Sequence, residues 1–193
     1  AGGGVGIAGV QIAKHIGARV IGTASAKKHD YLRSIGVDHC IDYRTQDFEK
    51  EVMKYTEGKG VELICDAVGG DYWKKGFRVL APSGRIGMFG VSSTVTGKKR
   101  SIRSLLKMLK DTPWVTFNPM ALMNENKGVF GVNMGHMWGE VPRIKGWMLE
   151  ILDLYEKGVL APKVDRAFSF DEAPAAHHYI QDRKNVGKVL LTP

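Results

Sequence analysis

Cysteine is scarce. The chain has only two, Cys40 and Cys65, in separate strand-like runs, with no Cys-x-x-Cys pair and no Cys/His cluster. That argues against a disulfide framework and against structural zinc, and it implies a reducing, cytosolic setting. Long hydrophobic runs are missing too, for no stretch approaches the ~20 apolar residues that span a bilayer as a helix. Acidic residues are outnumbered: 20 Asp and Glu stand against 28 Lys and Arg in 193 residues, a formal charge of +8. Such an excess favours anionic partners, whether nucleotide phosphate, acidic membrane or nucleic acid, and does not choose among them. Position 1 is Ala rather than Met, so targeting is not judged from this sequence.

What is present is an ordinary globular composition, 44% apolar and 25% charged, enough for one well-packed domain. Short β-branched runs alternate with helical patterns. The runs are ARVIGTA (18–24), HCIDY (39–43), VELICDAV (61–68), RIGMFGV (85–91) and VFGVNM (129–134). Before each of the first four lies a segment with apolar residues at helical spacing, closed by a glycine: Gly17, Gly36, Gly58 and Gly84. After residue 92 the rhythm breaks into a loop, a basic amphipathic helix and a second short helix. The long helix VPRIKGWMLEILDLYEKG, the strand KVDRAFSF, the helix DEAPAAHHYIQDRKN and the strand GKVLLT complete the chain. This alternation predicts an α/β fold, a doubly wound parallel sheet of the Rossmann type, with residues 1–193 forming one dinucleotide-binding domain. In that fold a central strand precedes the first glycine turn, so a first strand is expected upstream of Ala1.

The opening AGGGVGIAGVQIAK places a glycine cluster directly before a helix. Two registers of the dinucleotide motif fit. Gly4-Val-Gly6-Ile-Ala-Gly9 is a literal G-x-G-x-x-G; Ala1-Gly-Gly3-Gly-Val-Gly6 is the looser A-x-G-x-x-G. The motif needs a tight turn, a glycine that lets backbone approach phosphate oxygens, and another that lets helix pack on strand. The helix N-terminus then offers N–H groups and a positive dipole end to the anion. The second register is preferred, because it leaves GIAGVQIAKHIG as one uninterrupted helix. About 20 residues past the glycines, an NAD site usually carries an acid on the ribose. Here the sequence reads Thr23-Ala24-Ser25-Ala26-Lys27-Lys28-His29, with no acid before Asp30. A hydroxyl and two lysines suit a 2′-phosphate, so NADP(H) is the expected cofactor.

Several stretches together resemble the cofactor domain of the medium-chain dehydrogenase/reductase superfamily: AGGGVGIAGVQIAK, GTASAKKHDYL, GVDHCIDYR, DAVGGDYWKKGFRVLAPSGRIGMFGVSS and NVGKVLLTP. The zinc-independent quinone oxidoreductase branch is nearest, and within it the vesicle amine transport protein group. The resemblance implies that Gly3, Val5 and Gly6 face the pyrophosphate, and that Ser25, Lys28 and Tyr43 contact the 2′-phosphate. It implies that Val68 and Gly69 line the ribose side, and that Gly90 and Val91 lie under the nicotinamide with Ser92 nearby. Backbone groups of Phe130 and Gly131 would hold the carboxamide, and Asn185 would close over the cofactor phosphates. The implied activity is hydride transfer from NADPH to a small-molecule quinone or activated enone without zinc. No catalytic acid or base is assigned in this chain. The resemblance also implies a substrate domain upstream of Ala1, toward which the helices and strands of residues 135–193 would return, and a homodimer joined through the edge strand VFGVNM.

Three lookalikes are set aside. Tyr55 and Lys59 match the Tyr-x-x-x-Lys pair of short-chain dehydrogenases, but Gly58 interrupts the helical turn they would need. His177 and His178 have no acidic or cysteine partner at ligand spacing. The Gly-Lys pairs at 97–98 and 187–188 lack the Ser or Thr of a phosphate loop. The run KKRSIRSLLKMLK (98–110) supports a second expectation. Its apolar face of Ile102, Leu105, Leu106 and Leu109, ringed by Lys and Arg, suits an anionic membrane surface. On that view the chain belongs to a non-catalytic, vesicle-associated or lipid-handling protein, peripheral to the membrane. No nucleic-acid partner is expected, because aromatic residues for base stacking are missing from the run.

Overall fold

The computed structural model describes residues 1–92 and 116–193. The basic run 98–110 lies outside the described residues. The chain divides into two compact units, one of Ala1–Phe48 with Glu140–Pro193 and the other of Glu49–Gly139. Every strand pairing in either unit is parallel, as the alternation of strand and helix predicts. Among the described residues seven strands are paired, in sets of two, three and two.

In the first unit α1 (Gly4–His15) leads to β1 (Ile21–Ala24), α2 (His29–Ser34) and β2 (His39–Asp42). α1 buries Ile7 and Val10, three positions apart on one face, and carries Lys14 and His15 at its negative end. It stops where Gly17 turns left-handed at φ 78°, with the Ala18 N–H reaching back to the Ala13 carbonyl at 2.9 Å. α2 ends the same way at Gly36, with Val37 bonded back to Leu32 at 3.0 Å. β1 and β2 pair in register from Ile21 with His39 to Ala24 with Asp42. Val10, Ala24, Leu32 and Val37 form the core beneath them. Asp38 ties the layers: its carboxylate accepts from the Val20 N–H at 2.7 Å and pairs with Lys14 at 2.9 Å. Those two contacts hold the Asp38 carboxyl below the usual carboxylate range. The unit is completed by α6 (Val141–Glu156), β6 (Val164–Ser169), α7 (Ala173–Gln181) and β7 (Lys188–Thr192), with β6 and β7 paired. One isolated parallel bridge joins Gly3 to Gly187, just ahead of β7.

In the second unit β3 (Val61–Asp66), β4 (Leu80–Met88) and β5 (Gly128–Gly131) lie in that order, with α3 (Phe48–Tyr55), α4 (Asp71–Arg78) and α5 (Pro119–Glu125) between and before them. α4 seats closely on the sheet at Gly76, where a methyl group would stand 2.8 Å from the Ile86 Cδ1. Ile86 is fully buried, which stabilises by about 1.5–3 kcal/mol relative to an exposed position.

Two expectations need correction. Gly84 does not end a helix, because α4 stops at Arg78 and Gly84 lies inside β4. Val61 pairs with Leu80 but Leu63 pairs with Arg85, so residues between bulge out, with Ser83 at φ 67°. A methyl at Gly84 would stand 2.7 Å from the Ala81 carbonyl, which is the crowding that keeps glycine there. The strand expected over 129–134 is also shorter: β5 ends at Gly131, and a tight turn occupies Met134–His136, capped by the Asn133 side chain.

Candidate cofactor site

Each unit gathers its own set of the expected site residues. In the first unit, Gly3 is the N-cap of α1 in extended conformation, with no side-chain cap and no acid in the first turn. The leading N–H groups of the helix are therefore left to an external acceptor, at the end where the dipole favours an anion. A Cβ on Gly6 would run into the Ala1 carbonyl, whereas Gly9 meets nothing within 4 Å. The helix-packing glycine is thus Gly6. Val5, one residue earlier, is 62% exposed.

Ser25 follows the end of β1 beside this turn, where the Ala1 amino group donates to the Thr23 carbonyl at 2.6 Å. Ser25 is 2% exposed, and its hydroxyl has no hydrogen-bond partner among the described residues. A buried unsatisfied hydroxyl costs about 1–3 kcal/mol, which a ligand with a polar atom at this position would offset. Lys28, in the turn Ala26–Lys28, lies with its stem over Gly2, where a methyl would be 2.6 Å from Lys28 Cδ. Its ammonium donates to the Asn185 carbonyl, and the Asn185 side chain donates to the Gly187 carbonyl at 2.7 Å. Gly3, Gly6, Ser25, Lys28 and Asn185 thus meet at one corner.

Burial pulls the Lys28 ammonium below an ordinary lysine; Lys27 and Arg183 add to this, while Tyr43 and Asp165 oppose it. Tyr43 follows β2 and faces the same charges. Burial raises its phenol, but the guanidinium groups of Arg183 and Arg44 outweigh that and hold it below the usual tyrosine range. Arg183 stands 5.7 Å over the Tyr43 ring. It does so from a left-handed backbone, φ 56°, which costs a non-glycine residue about 1–2 kcal/mol. Arg183 and Arg44 were not among the residues expected from the sequence. Arg44 had a signal, being next to Tyr43; Arg183 had none, because its approach depends on how α7 ends.

In the second unit the set forms at the carboxyl ends of three strands. Asp66 closes β3 and is 7% exposed. Its Oδ1 accepts from the Val68 N–H at 3.0 Å and the Gly69 N–H at 2.7 Å, folding the loop back on itself. Gly69 and Gly70 turn with φ of 79° and 69°. The loop is then laced to the end of β4: Phe89 donates to Asp66 at 3.0 Å, and Ser92 donates to Ala67 at 3.1 Å. Gly90 lacks a side chain where one would stand 2.8 Å from the Ala67 carbonyl. Val68, Gly69, Gly90, Val91 and Ser92 are thereby brought together. β5 adds Phe130 and Gly131, in register with Gly87 and Met88. The Phe130 ring covers Gly87, and both Phe130 and Val91 remain 44% exposed. Asp66, the residue that organises this loop, was also missed, although an acid just before Ala-Val-Gly-Gly is a readable turn signal.

Other chemistry is thin. Among the described residues no three His, Cys, Asp or Glu side chains cluster as a metal ion would require. His177 and His178 are exposed on α7. A cleft of about 400 Å³ lined by Lys74, Phe77, Arg78, Phe117 and Leu122 shares no residue with either set.

Parallel α/β units, an uncapped glycine turn at the first helix and loops gathered at strand carboxyl ends define the dinucleotide-binding class of fold. The chain belongs to the medium-chain dehydrogenase/reductase superfamily, in its VAT-1-like branch: the zinc-binding dehydrogenase family matches residues 4–150. It is 38% identical to the human synaptic vesicle membrane protein VAT-1 homolog, over all of this chain and 49% of that protein. Among solved structures it is similar to a quinone oxidoreductase of Pseudomonas syringae pv. tomato DC3000, with a TM-score of 0.78 and 26% identity over all of this chain and 54% of that one. A mycobacterial protein solved as its NADPH complex matches with a TM-score of 0.78 and 25% identity over all of this chain and 55% of that one. The chain spans about half the length of the relatives it matches.

The two glycines in dispute between the motif registers behave oppositely under substitution. Gly6→Ala forces a methyl into the Ala1 backbone and is expected to cost about 1–3 kcal/mol, lowering the melting temperature. Gly9→Ala, in an open helix interior, is expected to gain about 0.5–1 kcal/mol. Thermal or urea melts of both variants check the assignment, and equal effects would overturn it.

Proposed function

We propose that the chain is the cofactor-binding domain of a zinc-free oxidoreductase that uses NADPH to reduce a quinone or an activated enone. The observation that carries the reading is the corner of the first unit: an uncapped glycine turn beside the unpartnered Ser25 hydroxyl, with Lys28 on Gly2 and Arg183 over Tyr43. The residues fit the cofactor. A 2′-phosphate satisfies the Ser25 hydroxyl and the Lys28 and Arg183 cations, while an acid, which would select the unphosphorylated ribose, is missing from 23–29. Gly3, Val5 and Gly6 take the pyrophosphate through backbone N–H groups, and Asn185 closes over the phosphates. In the second unit Val68 and Gly69 serve the ribose, Gly90, Val91 and Ser92 the nicotinamide, and Phe130 and Gly131 its carboxamide. When bound, NADPH supplies the hydride, and the acceptor is a small conjugated molecule. The chain's part is to bind and orient, and its exposed Val91 and Phe130 present apolar walls that exclude water.

The relatives' description as synaptic vesicle membrane proteins favours a second reading. The basic run 98–110 touches anionic membranes from the cytoplasmic side, and no helix among the described residues is long and apolar enough to cross one. We also propose a homodimer through β5, which among the described residues is bonded to β4 on one side only.

Titration of both coenzymes tests the first reading. NADPH should bind more tightly than NADH, and Lys28→Met should weaken NADPH about 10–100-fold while changing NADH little; a preference for NADH sinks it. Liposome co-sedimentation tests the second: binding to anionic vesicles should fall when Lys98, Lys99, Arg100 and Arg103 become Glu, and unchanged binding removes the membrane role. Light scattering should return twice the chain mass; a monomer discards the β5 interface.

A further inference from the structure

A second lysine lies on the glycine turn. Lys188 opens β7, and its stem runs along Gly4, the first residue of α1. A methyl on Gly4 would stand 2.6 Å from Lys188 Cδ, 2.7 Å from Cε and 3.0 Å from Cγ. The backbone fixes this placement. Gly187 donates to the Gly2 carbonyl at 3.1 Å and bridges Gly3, and Lys188 donates to the Lys163 carbonyl at 2.8 Å. Gly187 holds φ 101°, and a side chain there would strike the Lys163 carbonyl. Position 188 is therefore delivered to the start of α1 by a turn that only glycine can make.

The Lys188 side chain is exposed, and its ammonium has no carboxylate partner among the described residues. Two lysine stems thus flank the turn, Lys28 on Gly2 and Lys188 on Gly4, while Gly3 between them meets nothing within 4 Å. The buried, unpartnered Ser25 hydroxyl at the same corner points independently to a missing polar ligand. A lysine whose stem lies along the first residue of a helix brings positive charge toward the positive end of the dipole, an arrangement that an anion bound there would turn from unfavourable to favourable.

We propose that Lys188 is a ligand of the dinucleotide pyrophosphate, distinct from Lys28, which reads the 2′-phosphate. The assignment rests on the cofactor reading above. It has a signature that Lys28 lacks: the pyrophosphate is common to NADH and NADPH, so Lys188 should contribute to both equally.

Binding of NADPH and NADH is measured on the full chain for wild type, Lys188→Met, Lys188→Arg and Lys28→Met, with thermal melts alongside. Met keeps the stem on Gly4 and removes only the charge; Lys188→Gln serves if Met does not fold. Lys188→Met is expected to weaken both coenzymes by the same factor, about five- to tenfold, with Lys188→Arg within about twofold of wild type. Unchanged affinity in Lys188→Met, or a loss confined to NADPH, overturns the assignment while leaving the cofactor reading standing. Wild type that binds neither coenzyme overturns both.

Discussion

A helix can start where α1 starts only because Gly6 has no side chain. Its Cα lies so close to the Ala1 backbone that one methyl group would not fit, and this contact brings the N-terminus of α1 down onto the glycine turn. The rest of the first corner follows from that approach. Gly3 is left open, Gly2 and Gly4 become beds for lysine stems, and the leading N–H groups face outward without a side-chain cap. Acids in that first turn would have stabilised the helix by a few tenths to 1 kcal/mol. The chain forgoes them, and it also leaves the Ser25 hydroxyl buried without a partner. Both are costs to folding that a bound anion would relieve, which is how local frustration marks a binding surface.

The second unit solves a different problem by the same means. Its loops at the strand ends are rigid because Asp66 spends its carboxylate on two backbone N–H groups, and because Gly69 and Gly90 let two loops touch. A carboxylate so committed serves as scaffold, and the surface it supports is apolar.

Much of the architecture was legible in the residues. The alternation of β-branched runs with helical spacing marked the strands within a few residues, and Gly17, Gly36 and Gly58 marked three helix ends, all with positive φ. Gly84 misled because a helix end and a β-bulge ask the same thing of a residue, room for backbone, and the sequence does not say which. Gly3, Gly6, Ser25 and Lys28 could be singled out because the glycine turn and the run 23–29 are short and local, whereas Tyr43 and Asn185 came only from the family resemblance. Arg183 was not, since its guanidinium reaches Tyr43 only by virtue of a left-handed turn after α7.

What the amino-acid sequence determined alone was therefore local: the order of elements, the glycine turn before α1, the scarcity of acids from 23 to 29 and the family resemblance. Those depend on side-chain periodicity and backbone preference, which act over a few residues. Tertiary structure decided which charges meet. Lys28 bonds a carbonyl 157 positions away, and Lys188 finds Gly4 through a bridge between Gly3 and Gly187. Such pairings are fixed by closing the chain on itself, where packing and hydrogen-bond geometry select among many lysines that look alike in a string of letters.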